Sequence, residues 1–360
     1  MRLISFKQNS ELGSLFLYLQ SKPAARNVMI AFLALMVLSS CSNPIEPIVL
    51  SGPTMGTQYR VTVVRNATSA ETDEQLHAAI KQAMELVNQS MSTYIPDSEL
   101  SLFNKMPAGG SIVMSPQLFN VMQEAVEISE LSSGAFDTTI GKAIRLWGFS
   151  EDGRITEKPS TQLIEEIKQS VGYEKLTIEG TTLTKSASGL EVNLSAIAKG
   201  YAVDLVAEAI EGLGYTNFLV NIGGELRASG TNTERVPWRV GVERPHLLGG
   251  IEQVVELRDR AIATSGDYRN FIEIDGKRYS HTIDSKSLTP VFHRLASVSV
   301  LADRASTADA LATALLAMGE QRGVEFALKN DIAAYFIIRD DNEENYKVTV
   351  TDAFKVNLAE

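Results

Sequence analysis

Hydrophobic and polar positions along the chain follow two periods in turn. Residues 58–64 (QYRVTVV) alternate apolar and polar, as a strand with one buried face does. Residues 71–87 repeat their apolar side chains every three or four positions, which predicts an amphipathic helix. Residues 115–131 predict a second helix, opened by Ser115 as cap and Pro116 in the first turn, and residues 161–171 a short third one. Residues 175–194 read as short strands, with Gly180 and Gly189 at the turns. A strongly apolar helix over 198–213, closed by Gly212 and Gly214, precedes a buried strand at 218–222. Residues 271–274 and 278–282 flank Asp275-Gly276, a strong hairpin signal. A strand at 297–301, a helix at 306–318 and a strand pair at 333–339 and 346–350 complete the pattern. Hairpin-joined strands with interspersed helices predict an α+β fold of antiparallel or mixed sheets, in one large domain or two small ones, not a doubly wound parallel sheet.

One helix breaks its own apolar face. In ADRASTADALATALLAMG, residues 302–319, Asp309 and Thr313 interrupt a run of alanines and leucines four residues apart. Ser306 with Asp309 spells S-x-x-D, a relative of the capping box. Residues at i and i+4 also share a face, where a carboxylate and a hydroxyl can converge on Mg²⁺. The helix alone leaves both readings open.

At 360 residues, 44% hydrophobic and 21% charged, the chain is long enough for a large core and excludes a disordered or fibrous class. A net charge of −11 without a basic stripe excludes a nucleic-acid partner. The single cysteine, Cys41, excludes an internal disulfide. It follows an unbroken apolar run at 28–38, which is too short to span a bilayer and is preceded by Arg2, Lys7, Lys22 and Arg26. Leu38-Ser39-Ser40-Cys41 resembles a bacterial lipobox. A plain signal peptide or a signal anchor with an incidental cysteine is the alternative; the expected organisation is a lipoprotein signal peptide at 1–40, a lipidated N-terminus and tether at 41–49, and the folded domain at 50–355. The expected location is the periplasmic side of the inner membrane, held there by the lipid on Cys41.

Four clusters carry candidate chemistry: Thr54-Met55-Gly56-Thr57; Ser92-Thr93-Tyr94 with Ser98-Glu99-Leu100; residues 193–204 (NLSAIAKGYAVD); and Thr264-Ser265-Gly266-Asp267-Tyr268 running through the hairpin to Ser280-His281-Thr282-Ile283-Asp284. Lys199 falls in the first turn of a helix, where the dipole disfavours a cation unless an anion binds there too. A solvated lysine, with Gly200 allowing close packing, is the alternative. His281 is either structural or a base.

Taken together with Ala135-Phe136-Asp137, NIGGEL and the D-x-x-x-T of Asp309 and Thr313, these clusters occur in the order found in ApbE-type FAD:protein FMN transferases. The chain resembles that family over nearly everything that follows the leader. The resemblance implies a single catalytic domain of the ApbE-like α+β fold at 50–355, and an enzyme that splits FAD at the pyrophosphate, joins the FMN phosphate to a Thr or Ser hydroxyl of a target protein, and releases AMP with Mg²⁺ present. It implies Mg²⁺ ligands at Asp309, Thr313 and the carbonyl of Ala196. Met55, Tyr94, Ala135, Phe136, Asp137, Asn193, Lys199 and Ile283 match positions that hold FAD. His281 matches the base that takes the acceptor proton, with Lys199 beside the diphosphate. Implied partners are periplasm-facing acceptor subunits of Na⁺-translocating NADH:quinone reductase or Rnf complexes. Alternatives on the same residues are an FAD pyrophosphatase and a non-catalytic flavin-binding lipoprotein. Two departures stand out. Asn193 replaces the family's usual Asp, and the family's H-x-I-D-P-x-T-G continues here as His281-Thr282-Ile283-Asp284-Ser285-Lys286-Ser287-Leu288.

Overall fold

In the computed structural model the described residues are 46–65, 72–150, 152–245, 249–340 and 345–359, so Cys41 and the leader lie outside them. The chain starts with β1 (Ile48–Thr54) and β2 (Thr57–Val63), then α1 (Asp73–Met91), α2 (Glu99–Asn104), β3 (Ser111–Val113) and α3 (Pro116–Leu131). Next come α4 (Gly141–Leu146), α5 (Thr161–Lys168), β4 (Leu176–Glu179), β5 (Thr182–Lys185) and α6 (Ala198–Gly212). Seven strands follow: β6 (Phe218–Ile222), β7 (Glu225–Ser229), β8 (Trp238–Glu243), β9 (Ile251–Leu257), β10 (Arg260–Gly266), β11 (Phe271–Ile274) and β12 (Lys277–Ser280). The chain ends with β13 (Ile283–Asp284), β14 (Thr289–Pro290), β15 (Leu295–Ala302), α7 (Ala305–Lys329), β16 (Ala333–Arg339), β17 (Tyr346–Val350) and α8 (Asp352–Lys355).

Eight strands form one antiparallel sheet in the order β1-β2-β6-β7-β10-β15-β16-β17. This is the α+β architecture that the hairpin pattern predicts. Helices α1, α6 and α7 pack on one face, and the β8–β9 hairpin covers the other with Trp238, Val240, Val242, Val255 and Leu257. Because both faces are covered, β15 (LASVSVLA) is buried at seven successive positions instead of alternating. A third cluster of Trp147, Ile272, Ile274, Ile283 and Leu288 lies under the β11–β12 hairpin.

Several elements differ from the sequence pattern for identifiable reasons. β1 contains Gly52 and Pro53, which mask a strand; a proline is tolerated because β1 is an edge. The TMGT cluster is therefore the two-residue turn of the β1–β2 hairpin, and does not merely precede the first strand. Helix α7 runs past the expected end at Met318 to Lys329, with Gly319 as a break at φ 78°. The capping box also fails to form. Arg304 stands at the α7 cap position without a side-chain cap bond, and the Ser306 hydroxyl donates to Asp204 Oδ2 at 2.9 Å. Asp204 of α6 does the capping, accepting the amides of Ala305 and Ser306 at 2.9 and 3.0 Å.

Candidate active site

The α6–α7 contact fixes the polar end of the site. A Cβ on Gly200 would lie 2.2 Å from the Ala305 carbonyl oxygen, so only glycine lets the two helices approach this closely. The approach brings the Gly200 amide to 3.1 Å from Asp309 Oδ2, to which it donates. The usual acceptor of an amide at this place is the carbonyl four residues back, here that of Ala196.

Lys199, next in the chain to Gly200, forms an ion pair with Glu225 Oε1 and lies 4.0 Å from Asp309 Oδ2. The side chains of Asp309 and Glu225 are 5% and 4% exposed, whereas that of Lys199 is 32% exposed, toward the cleft that it lines. Burial pushes the Asp309 carboxyl well above the usual carboxylate range; Lys199 opposes this, Glu225 adds to it, and the Gly200 amide opposes it. Burial pulls the Lys199 ammonium down, but Asp309 and Glu225 outweigh it, so the lysine stays charged.

Two carboxylates thus face one ammonium. Glu225 Oε2 is buried with no hydrogen-bond partner among the described residues, at a cost of about 1–3 kcal/mol for such an atom. A cation beside Asp309 would offset the excess negative charge. The Asp309 carboxylate, the Thr313 hydroxyl one turn on and the Ala196 carbonyl are all oxygen donors, the set a hard divalent ion accepts. Among the described residues no group of three or more His, Cys, Asp or Glu side chains gathers around a metal position. A cation held here would therefore draw on one carboxylate with neutral oxygens, and keep positions for phosphate and water. Thr313 Oγ1 lies 3.2 Å from Ser265 Oγ, which orients it.

The apolar end has a different construction. Met55 sits in the β1–β2 turn at φ 48°, a left-handed conformation unusual for a residue with a side chain. Tyr94 is 67% exposed at the mouth, on a loop stapled by the Ser98 hydroxyl donating to the Ser92 carbonyl at 2.6 Å. The Asp137 carboxylate turns inward, accepting the Thr139 amide and hydroxyl at 2.8 and 2.6 Å and the Tyr173 amide at 3.1 Å. Burial raises its pKa although these bonds oppose the rise, and the same three bonds hold the Ala135-Phe136-Asp137 segment in shape. Asn193 Oδ1 accepts the Ser195 amide at 2.9 Å, a turn that needs an acceptor oxygen but no charge.

His281 stands where the two ends meet. Its Nδ1 lies 3.0 Å from the Asn270 carbonyl, which can only accept, so the proton is on Nδ1 and Nε2 carries the lone pair. Phe149 packs edge-on to the ring. Burial holds the imidazole below its usual range; the Asn270 bond opposes this and the nearby Lys199 charge adds to it. In the altered loop that follows, the Ser285 hydroxyl donates to the Gly134 carbonyl, and Asp284 Oδ1 accepts the amides of Lys286 and Ser287 at 2.9 and 2.7 Å. Leu288, standing where the family pattern has glycine, is left-handed at φ 56° and fully buried.

Met55, Tyr94, Ala135, Phe136, Asp137, Asn193, Ala196, Lys199, His281, Ile283, Asp309 and Thr313 all line one cleft of about 1180 Å³. It draws on residues from all three apolar clusters or their immediate packing partners. Two residues, Glu225 and Asp204, acquire a role only through tertiary contacts. Glu225 stood inside the NIGGEL motif, but nothing local announces a buried carboxylate beside Lys199. Asp204 stood at the end of GYAVD, and its contact with Ser306 spans 102 residues.

The cleft and sheet define an α+β class of protein in which a cationic and carboxylate pocket adjoins an apolar, aromatic-lined one. Residues 55–336 match the model of the ApbE family. The FAD:protein FMN transferase of Vibrio cholerae is 41% identical over 335 residues, covering 93% of this chain and 99% of that protein. The Escherichia coli K12 protein of the same name is 33% identical, covering 86% and 89%. Among solved structures, the flavin transferase ApbE from Vibrio cholerae superposes with a TM-score of 0.81 at 41% identity, over 88% of this chain and all of that one. The apo flavinyl transferase ApbE of Pseudomonas stutzeri superposes with a TM-score of 0.80 at 37% identity, over 86% and 96%. This chain belongs to the ApbE family and is an enzyme of that family.

Proposed function

We propose that the protein transfers the FMN moiety of FAD to a Thr or Ser hydroxyl of a target protein, releasing AMP, with Mg²⁺ bound at Asp309, Thr313 and the Ala196 carbonyl. The observation that carries this reading is the juxtaposition, in one cleft, of Lys199 among two buried carboxylates with a neutral imidazole and an apolar nucleotide-sized surface. When bound, the cation supplies fixed positive charge for the phosphate oxygens. Lys199 presents a second positive charge to the diphosphate, and Glu225 keeps that lysine in place. Met55, Tyr94 and the 135–137 segment hold the flavin half, where soft and aromatic groups suit a ring face. Ile283 and Asn193, which line the same cleft, add to the nucleotide contacts. His281 accepts the acceptor hydroxyl proton at Nε2. The oxygen then bonds to the FMN phosphorus as the bond to the AMP phosphate oxygen breaks, and AMP carries that electron pair away.

We further propose that Cys41 is lipidated and that the enzyme works on the periplasmic side of the inner membrane. Its acceptor is then a hydroxyl on a flexible, periplasm-facing segment of a membrane redox subunit of the Na⁺-translocating NADH:quinone reductase or Rnf kind. Among the described residues no helix is long and apolar enough to cross a membrane. Replacing Cys41 by Ser should release the protein from membranes; continued lipid modification of that variant would overturn the anchor. The activity is tested by incubating the chain from Ser42 onward with FAD, Mg²⁺ and the candidate subunit, then measuring intact mass. An FMN adduct on the subunit with stoichiometric AMP supports transfer. FMN and AMP without an adduct assigns FAD hydrolysis instead.

A further inference from the structure

The transferase reading needs a polypeptide to enter the cleft, and the edge of β8 is built to receive one. Strand β9 gives the Glu256 amide and the Val254 carbonyl to the C-terminal segment, at Asn357 and Ala359 (2.8 and 3.1 Å). In an antiparallel strand successive residues turn their main-chain groups to opposite sides, so Val255 and Leu257 face β8. Their register partners Val240 and Trp238 face back toward β9, and the main-chain groups of Arg239 and Gly241 point away from it. Beyond the bulge at Val242/Glu243 the Arg244 amide turns inward to the Gly250 carbonyl at 2.9 Å, which leaves Glu243 on the outer side as well. Among the described residues no backbone hydrogen bond reaches Arg239, Gly241 or Glu243, and no strand pairs with β8 on that side.

This edge faces the reaction cleft, which Val240, Gly241 and Glu243 help to line. Proteins normally cover or distort such an edge because it templates strand addition. The cavity, at about 1180 Å³, also exceeds the roughly 300–1,000 Å³ of a small-molecule site. A dinucleotide has no repeating N–H and C=O pattern to match a strand edge; an extended peptide does. We propose that β8 docks the acceptor segment as an added β-strand, so that main-chain pairing, and not side-chain recognition alone, brings the acceptor hydroxyl to His281. This rests on the transferase reading and specifies how its protein substrate binds.

The test compares Gly241→Pro, which removes one outward amide, with Gly241→Ala, which meets the same Ile251 side chain at 3.1–3.3 Å but keeps the amide. The probe is the purified candidate redox subunit, and FAD hydrolysis without acceptor is measured in parallel. The expected result is at least a tenfold rise in KM for the subunit in Gly241→Pro, a rise under twofold in Gly241→Ala, and hydrolysis of FAD within twofold of wild type in both. An unchanged KM in Gly241→Pro, equal losses in both variants, or a parallel loss of FAD hydrolysis overturns the docking. A second arm leaves the enzyme intact: acceptor peptides N-methylated at one residue at a time should lose activity with a period of two, and a loss without alternation overturns strand pairing. A wild-type enzyme that hydrolyses FAD but modifies neither subunit nor peptide overturns the transferase reading itself.

Discussion

Two hairpins in this molecule turn through the same backbone shape with different residues. The β11–β12 turn is Asp275-Gly276 at φ 53° and 70°; the β1–β2 turn is Met55-Gly56 at φ 48° and 71°. Aspartate tolerates the left-handed region because its short side chain can bond locally, whereas an unbranched apolar chain gains nothing there. The first turn obeys local chemistry and stays outside the cleft lining. The second violates it, and Met55 lines the cleft. Leu288, left-handed at φ 56°, likewise breaks the local rule, with its side chain fully buried in the cluster under the β11–β12 hairpin. Local rules are broken where the tertiary structure uses a side chain for something else.

The sharpest break of a local rule is the buried carboxylate in an Ala/Leu helix, so Asp309 gives the largest effect. Asp309→Asn keeps an acceptor for the Gly200 amide but removes the charge. Turnover should fall about 100-fold or more, while the melting temperature without divalent cation stays equal or rises, since no cap is lost. Near-wild-type turnover at saturating Mg²⁺ would falsify the metal assignment.

The pH response of His281 comes next. Burial depresses its folded pKa, so the ring stays neutral below the ordinary histidine range. At saturating Mg²⁺, which holds Asp309 ionised, the limb of the pH–rate profile that His281→Gln removes should lie below the ordinary histidine value of about 6.5 and fall about tenfold per unit. Stability from this group has the matching sign: it is fully present above the unfolded pKa and is lost as pH falls through the folded one. An acid limb centred above 6.5 that vanishes in His281→Gln would contradict this.

Leu288→Gly tests whether strain or burial dominates. The lost burial costs about 2–5 kcal/mol, more than the roughly 1–2 kcal/mol of left-handed strain it relieves. The variant should melt lower; a higher melting temperature would reverse the order of the two effects. Exchanging the turn residues gives the smallest changes. Met55→Asn should gain about 0.5–1 kcal/mol by suiting the left-handed position, with a severalfold rise in KM for FAD. Asp275→Met should lose about as much stability and leave turnover unchanged. Equal effects on KM from both exchanges would erase the distinction between the two hairpins.

The sequence by itself determined the elements whose signals are local. The Asp275-Gly276 hairpin, the Ser115–Pro116 helix start and the alternation ahead of β2's pairing all depend on neighbours a few residues apart, and they appear in the structure close to where the pattern puts them. The order of short motifs also pointed to the family, because many weak signals in a fixed order are specific together. Only the tertiary structure showed that no capping box forms at Asp309 and that its carboxylate is buried in the cleft instead. Ser306 is taken by Asp204, the Gly200 amide reaches Asp309 across 109 residues, and Glu225 is buried beside Lys199. A helix such as α3 reports its cap through residues one turn away, but the carboxylate that caps α7 and the partners that set its buried charge come from elements whose separation along the chain carries no local trace.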